Sequence, residues 1–452
     1  MPPARPPAPS PVLPLTRRSI AAQAWPIMLG QATVPLVGLV DTWVIGRTGD
    51  AAALAGVALG TTVVNFIFWS FGFLRMGMTG LTAQALGADD HDEIRAMLVR
   101  GAMAGLAIGA ILFVGQILLI PAAFALLAGG GALDAAARGF TAARFFGAPA
   151  GLAVFAITGW LLGLGRTRAA LLLQIVMNVA NIALDLYFVR HLGLGARGVG
   201  YGTACAEWIA FATGALICWR ILGATGLRGL SRAAIIAPAA LRRLFAVNAN
   251  IMIRTVALLA LFGWFTNAGA RLGPTVLAAN HVLLQFVSVA AFVLDGFAFT
   301  AESRVGHAIG QQSRAALGRA IRLTAEFSGA AGLVFCVAIW AGGGVFIDAL
   351  TTNPAVRATA TAMLPLVALV PLIGMPAWLL DGVFIGAAAG RPLRNAALIA
   401  TALYVALDLA LRGFGQTGLW IAFLAAYVLR ALALGVQLPA LLRTVANPPA
   451  AP

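Results

Sequence analysis

The sequence predicts an all-α integral membrane protein with twelve transmembrane helices in two six-helix lobes, related by a pseudo-two-fold axis along the membrane normal. Composition, long apolar runs and an internal repeat support this prediction. Of the 452 residues, 61% are hydrophobic and only 10% are charged, and the mean hydropathy is +0.93. Water-soluble domains have a much more polar balance, so lipid is expected to be the main solvent of this chain.

Twelve apolar runs are long enough to cross a hydrocarbon core of about 30 Å, which takes about 18 residues or more of helix. They are near residues 24–45, 54–80, 101–128, 140–165, 169–190, 199–221, 244–268, 276–300, 320–347, 359–387, 395–412 and 417–441. Transmembrane strands are about ten residues long and alternate in polarity, which these runs do not. Each run is therefore predicted to be a helix.

The net charge of +15 comes from arginine alone, because all 30 basic residues are arginine and most lie in short links between apolar runs. No single basic face for nucleic acid is indicated. If the N-terminus is cytoplasmic, nineteen arginines fall on the cytoplasmic side and eight, including Arg47, Arg144 and Arg190, on the other. The positive-inside rule then predicts a multi-pass protein of a bacterial-type inner membrane, with both termini in the cytoplasm.

The two halves of the chain align with each other at an offset of 223 residues. Matched pairs include Gly46 and Gly269, Gly87 and Gly310, Arg168 and Arg391, and Asp185 and Asp408. Six spans per half is an even number, so the halves have the same orientation. We expect a disordered cytoplasmic tail at 1–16, lobes at 17–221 and 244–441, a cytoplasmic linker at 222–243 and a cytoplasmic tail at 442–452.

Polar side chains in three spans of the first half lie at one depth. Asp41 is six residues before Arg47, Asp185 five before Arg190, and Thr203 six after Arg197. At about 1.5 Å per residue, all three lie about 8–9 Å below the outer boundary. An ionised carboxylate at that depth needs a partner, a water-filled cavity or a bound proton.

The spacing of these polar residues places them on shared helix faces. Asn178, Asn181 and Asp185 form one stripe on the fifth span, and Thr203 and Glu207 form another on the sixth. Such oxygens can bind a small hard cation, or the two carboxylates can share a proton. Alternatively, they only hydrogen-bond helices together. The predicted coupling-ion site comprises Asp41, Asn181, Asp185 and Thr203, with Asn178 and Glu207 as supporting candidates.

The internal repeat provides a control for this cluster. At the 223-residue offset, Asp41, Asn181 and Thr203 become Trp264, Tyr404 and Ala426, and only Asp185 keeps an acidic counterpart, Asp408. The cluster therefore belongs to the first half, as expected for binding rather than for the architecture in general.

Two prolines, Pro26 and Pro35, lie in the same span as Asp41. An interior proline removes a backbone hydrogen bond and permits a kink. The hypothesis is that filling or protonating the Asp41 and Asp185 site changes the bend of this helix, with Pro26 as the hinge. The alternative is a static kink that only shapes packing.

Other charged residues in the spans carry weaker predictions. Arg75 can pair with Asp295 or Glu302 as an inner gate, or these charges can simply reach interfacial water, which we favour. Asp408 and Arg412 have i, i+4 spacing and are expected to form a helix-end ion pair. No transition-metal site is predicted from the histidines.

Four segments carry a family resemblance: FLRMGMTGLTAQALG at 73–87, LDLYFV at 184–189, DGFAFTAESRVGHAIG at 295–310 and LDGVFIGAAAGR at 380–391. Together they resemble the multidrug and toxic compound extrusion family, and specifically its DinF-like branch. The resemblance covers nearly all of the chain beyond the first sixteen residues.

The resemblance implies a V-shaped pair of six-helix lobes that export amphipathic, often cationic compounds in exchange for protons or sodium. In that branch the ion-linked residues are matched by Asp41, Asn181, Asp185 and Thr203, and Pro26 matches a proline associated with bending of the first helix. Other branches place acids in the second lobe, where Asp381 is the remaining candidate.

These observations predict a secondary active multidrug efflux antiporter that works by alternating access and is not an enzyme. Its expected partners are small organic, cationic or amphipathic substrates and the lipid bilayer, with no cofactor, no nucleic acid and a monomeric state. The coupling ion is a proton or sodium. The alternative is a flippase or exporter of a lipid-linked or narrow native metabolite.

Overall fold

The computed structural model describes residues 15–127 and 131–445. The predicted terminal tails fall largely on residues 1–14 and 446–452, which lie outside the described residues.

All regular secondary structure in the described part of the chain is helical. The first half contains α1 (Arg17–Gly46), α2 (Ala51–Ser70), α3 (Phe73–Gly87), α4 (His91–Leu127), α5 (Gly131–Phe145), α6 (Ala148–Gly163), α7 (Thr167–Leu186) and α8 (Gly195–Leu222). The second half contains α9 (Arg232–Ile235), α10 (Pro238–Arg271), α11 (Pro274–Gly310), α12 (Arg314–Leu350), α13 (Pro354–Gly386), α14 (Gly390–Ala410), α15 (Gly415–Gly435) and α16 (Leu438–Arg443).

Eleven helical segments of the described residues are long and apolar enough to cross a membrane. Helices α5 and α6, which are bent by 53° relative to each other, make a twelfth span if they are counted together. The predicted all-α, multi-pass membrane fold is therefore confirmed. The bend lies within the predicted span near 140–165.

Helix boundaries follow local capping chemistry. The side chain of Asp50 accepts a hydrogen bond from the Ala53 N–H at the start of α2, and Ser313 does the same for Ala316 at the start of α12. Asn353 accepts from two backbone N–H groups at the start of α13, where Pro354 follows it. Such caps satisfy backbone donors that a helix leaves unpaired at its first turn.

The internal repeat is visible in the helix boundaries themselves. Helices α4 and α12 begin 223 residues apart and end 223 residues apart. The same offset relates the combined limits of α2 and α3 to α11, and those of α5 and α6 to α13. The second half thus repeats the first, except that two of its helices are continuous where the first half has a break.

The chain forms two compact units. Within the described residues, the first unit comprises 29–82 and 90–244, and the second comprises 15–28, 83–89 and 245–445. Helix α1 therefore contributes its beginning to the second unit and its remainder, which carries Asp41, to the first. Ile20 and Ala24 pack with Phe297 and Leu323 in a small core of the second unit.

The core of the first unit is built around α6, which is buried on nearly all sides. Gly105 and Gly109 of α4 lie against the backbone of Ala153 and Pro149, so that the two helices pack closely. Small residues permit such an approach between membrane helices. The core of the second unit is aromatic, with Phe265, Trp420 and Phe423 in mutual contact.

Candidate functional site

The carboxyl groups of Asp41 in α1 and Asp185 in α7 face each other inside the first unit, with the Asn181 side chain beside Asp185. Asp185 and Asn181 are buried, and Asp41 is partly buried. Two membrane helices thus place their acidic groups in contact, as their common depth in the sequence predicts.

Among the residues that the structure describes, four oxygen atoms of this group are buried without a hydrogen-bond donor. They are Oδ1 of Asp41, Oδ1 of Asn181 and both carboxylate oxygens of Asp185. A buried acceptor without a donor is costly, and two facing carboxylates increase the cost when both are ionised. These four oxygen atoms suit a small cation or a proton, because oxygen is the ligand that hard cations prefer.

Thr203 of α8 is joined to this group through Asn181. Its hydroxyl accepts a hydrogen bond from Asn181 Nδ2 at 2.9 Å and donates to the backbone carbonyl of Val199 at 3.1 Å. The hydrogen bond turns the amide so that Asn181 Oδ1 remains an acceptor without a donor. Thr203 therefore orients Asn181.

Gly202 of α8 lies directly against Asp185. A Cβ atom at this position would overlap Asp185 Oδ1. The absence of a side chain therefore makes room for the carboxylate, and a methyl group would displace it. Sequence reasoning missed this residue, since one helical glycine among 52 carries no distinguishing signal.

Asn178 lies one turn from Asn181 on α7 but serves a different contact. Its Nδ2 donates to the Thr33 hydroxyl of α1 at 2.8 Å, and its Oδ1 accepts from Gln174 at 2.9 Å. Its polar atoms are thus used to join α7 to α1. The sequence predicts the polar stripe but not the contact with Thr33.

Glu207 forms a buried ion pair with Arg144 of α5. The guanidinium donates two hydrogen bonds to the carboxylate, both at 2.6 Å, and lies 4.8 Å from the centre of the Phe68 ring. The sequence places Arg144 on the outer side of the predicted span near 140–165 and does not predict its pairing with Glu207.

A cavity of about 420 Å³ lies between α1 and α2 and reaches Asp41. Its lining is mainly apolar, with Thr42 and Thr61 as its other polar side chains. Pockets for small organic ligands have this size and this mixture of apolar walls and few polar groups.

The helix that carries Asp185 changes its winding immediately afterwards. Residues Tyr187–His191 form a π-helical turn. Arg190 in this turn lies 5.0 Å from the Trp43 ring centre, two residues beyond Asp41 on α1. Turns of this kind interrupt α-helices frequently at functional sites.

The repeat-equivalent residues of the second unit make a different contact at the same place. Trp264 of α10 donates its indole N–H to Asp408 of α14 at 2.9 Å. Where the first unit has two facing carboxyl groups, the second unit thus has a hydrogen-bond donor facing an acceptor. This hydrogen bond replaces the predicted ion pair, since among the described residues Asp408 is not paired with Arg412.

The three remaining site candidates lie in α3, α11 and α13. Arg75 is partly buried in α3 of the first unit, and Asp295 is partly buried in α11 of the second. Asp381 of α13 is buried, and its Oδ2 accepts from Arg254 and lies 3.6 Å from Arg430 Nη2. These two buried arginines were not identified from the sequence as partners of Asp381.

Pro26 lies inside α1, which is helical on both sides of it. It is three residues before Leu29, where α1 passes from the second unit to the first. Elsewhere in the described residues, no group of three or more His, Cys, Asp or Glu side chains is arranged to hold a metal ion.

Comparison with known proteins identifies the family. The MatE family model matches residues 26–187 and again residues 251–410, once in each half. DNA damage-inducible protein F of Escherichia coli (strain K12) is 36% identical over 413 residues, which cover 91% of this chain and 89% of the relative. A probable multidrug resistance protein NorM of Bradyrhizobium diazoefficiens is 30% identical and covers 88% of each chain.

Solved structures support the fold. One described as MATE in the bent conformation has a TM-score of 0.86 and 18% identity, and covers 95% of this chain and 97% of that chain. The family model spans most of the sequence, and the Escherichia coli relative agrees with the resemblance to the DinF-like branch. The chain therefore belongs to the MatE family of membrane transporters.

Proposed function

We propose that this transporter exports small amphipathic organic cations by alternating access, in exchange for a proton or sodium ion bound at Asp41, Asn181, Asp185 and Thr203. The observation that carries the proposal is the group of four buried oxygens without donors around the two facing carboxylates. A cation or proton there removes the cost of two buried negative charges.

The cavity beside Asp41 supports the class of substrate. It offers apolar walls next to a carboxylate, which is the combination that an amphipathic cation requires. The NorM relative is named as a probable multidrug resistance protein, and we extend that substrate class to this chain. Because substrate and coupling ion would both be attracted by Asp41, binding of one favours release of the other.

Helix α1 is proposed to transmit this exchange, with Pro26 as its hinge. It carries Asp41 in the first unit while its first turns pack in the second unit. A proline in the interior provides a place where the helix can bend.

As the arginine distribution predicts, both termini are proposed to lie in the cytoplasm. The protein is further proposed to be a monomer of a bacterial inner membrane, with lobes at 17–221 and 244–441. Arg75, Asp295 and Asp381 are not assigned to the coupling-ion site. Asp381 is neutralised by its own arginines, which argues against a cation site there.

The test is uptake of a fluorescent organic cation into proteoliposomes with separately imposed proton and sodium gradients. Wild-type protein should show flux under one of the two gradients, and Asp41→Asn and Asp185→Asn should abolish the coupled part. The matched control is Asp408→Asn, which changes the repeat-equivalent acid and can still accept the hydrogen bond from Trp264. It should retain coupled flux.

Equal loss in Asp408→Asn would contradict a site confined to the first unit. Coupled flux retained by an Asp41→Ala, Asp185→Ala double variant would exclude the proposed ion site. No flux of folded wild-type protein under either gradient would favour the flippase, or export of a narrow native metabolite.

A further inference from the structure

The buried Arg144 and Glu207 pair is a charged element next to the coupling-ion site that the proposed function does not use. Both side chains are largely buried, at 13% and 8% exposure. Their paired hydrogen bonds fix the guanidinium in one plane, as bidentate arginine contacts do.

Two glycines, one at the α5 to α6 bend and one in α6, lie against the carboxylate of this pair. Cβ atoms at Gly147 and at Gly151 would each overlap an oxygen of Glu207. The carboxylate therefore lies in a close-fitting recess of backbone, and Arg144 is fixed in turn by Glu207.

The charge of Arg144 acts on the coupling-ion site from this fixed position. Helix α8 places the pair beside the site, because a Cβ atom at Gly200 would lie 3.2 Å from the backbone N of Arg144, and one at Gly202 would overlap Asp185 Oδ1. Glu207 follows Gly202 on the same helix.

Asp41 and Asp185 also interact electrostatically with Arg144. The group formed by Asp41, Asp185, Glu207 and Arg144 thus holds three carboxylates and one guanidinium. This group reaches neutrality only when positive charge enters from outside.

We infer that Arg144, positioned by Glu207, sets how tightly the Asp41 and Asp185 site holds its coupling cation and permits that cation to leave. The inference rests on the proposed function. A fixed positive charge beside two carboxylates stabilises the state in which they have lost the cation. Arg144 is thus a positioning residue that acts through the two acids.

The two members of the pair should have opposite effects on cation affinity. Without the positive charge of Arg144, the site holds the cation more tightly and releases it more slowly. Without the negative charge of Glu207, Arg144 is uncompensated and repels the cation. At an effective dielectric constant of about 20, a unit charge roughly 12 Å away changes cation affinity about tenfold.

The experiment measures the half-saturating concentration of the coupling cation and the maximal rate in proteoliposomes. Arg144→Gln should lower the half-saturating concentration about tenfold and should also lower the maximal rate. Glu207→Gln should raise the half-saturating concentration about tenfold. Arg144→Lys keeps the charge and should remain close to wild type. The double variant Arg144→Gln, Glu207→Gln should show a smaller shift in the direction of Arg144→Gln.

A matched control is available on the same helix. Arg138 pairs with Asp134 at 2.6 Å and lies 5.3 Å from the Phe124 ring centre, the same two kinds of contact that Arg144 makes. It does not act on Asp41 or Asp185. Arg138→Gln should therefore leave the half-saturating concentration unchanged.

Shifts in the same direction for Arg144→Gln and Glu207→Gln would overturn the inference, because a purely structural pair would damage the site in both variants. Unchanged affinity in folded Glu207→Gln would also overturn it, even if Arg144→Gln fails to fold. Absence of gradient-driven flux in the wild-type protein would instead contradict the proposed function. If wild-type flux is coupled and the variants keep the wild-type cation affinity, only this inference is contradicted.

Discussion

At the scale of single residues, Asp185 and Asp408 show how one acidic side chain in a repeated position takes two roles. Asp408 accepts a hydrogen bond from Trp264, whereas Asp185 faces Asp41 and both of its oxygens lack a donor. The two roles differ because of the side chain opposite the acid. A hydrogen-bond donor there joins two helices, whereas a second acid gives two facing carboxyl groups that favour a positive charge.

Gly202→Ala tests how closely the site is built. The added methyl group would displace Asp185 Oδ1, and overpacking of this kind costs about 1–3 kcal/mol. We expect the half-saturating concentration of the coupling cation to rise about tenfold or more, measured by flux in proteoliposomes. Gly263→Ala is the control, since outside its own stretch of helix no atom of the described residues lies within 4 Å of its added methyl group. Equal behaviour of the two variants would contradict the assigned packing.

The two asparagines of α7 should separate binding from packing. Asn181→Ala removes a donor-free acceptor and should weaken binding of the coupling cation. Asn178→Ala removes the bond to Thr33 and should reduce the free energy of unfolding by about 0.6 kcal/mol, with cation affinity unchanged. Cation titration and thermal unfolding in detergent distinguish these effects. Reduced affinity in Asn178→Ala would extend the site beyond Asn181.

At the scale of helices, α1 and the α5 to α6 bend position the chemistry. Helix α1 belongs to both units, and the bend brings Arg144 to Glu207 in the interior. The second half has a continuous α13 where the first half is bent. The break is therefore a specific property of the first half, where the candidate site lies.

Pro26→Ala tests α1 as a hinge. Restoring the backbone hydrogen bond should stiffen the helix, lower the maximal transport rate and leave the half-saturating concentration of the coupling cation near that of wild type. The measurement is flux at saturating substrate. Pro121→Ala in α4, another proline inside a membrane helix, serves as control and should keep the wild-type rate. A wild-type rate in Pro26→Ala would indicate a static kink.

The sequence predicts the helices and the contact of Asp41 with Asp185 because both follow from one-dimensional patterns. Apolar runs define spans, and distances from flanking arginines define depth. The environment of Glu207 could not be predicted in this way. It depends on how α5 and α6 bend and rotate, whereas the sequence gives only the side of the membrane on which Arg144 is expected.

At the scale of the whole molecule, the second unit keeps the scaffold but fills it differently. Its buried acid Asp381 has two arginine neighbours, Arg254 and Arg430, and the ring of Tyr427 lies 5.3 Å from the Arg430 guanidinium carbon. One carboxylate here has two guanidinium neighbours, so no added cation is needed to offset its charge. In the proposed site of the first unit, the facing carboxylates would instead take positive charge from an ion.

Thermal unfolding in detergent should reveal this difference. Asp381→Asn removes the carboxylate that Arg254 and Arg430 share, and breaking a buried ion pair costs about 3–5 kcal/mol. Its unfolding temperature should fall well below that of wild type. Asp41→Asn removes a carboxylate whose Oδ1 lacks a donor and should unfold at or above the wild-type temperature. The reverse order would contradict the two assignments.

The shared helix boundaries of the two halves give ion binding a further meaning. A cation at Asp41 and Asp185 has no counterpart at Trp264 and Asp408, where a hydrogen bond already occupies the equivalent position. Under the proposed function, each binding of the ion would therefore change the first half while its repeat keeps the same contact. The free energy of the ion gradient would then act as a one-sided perturbation of a repeated structure.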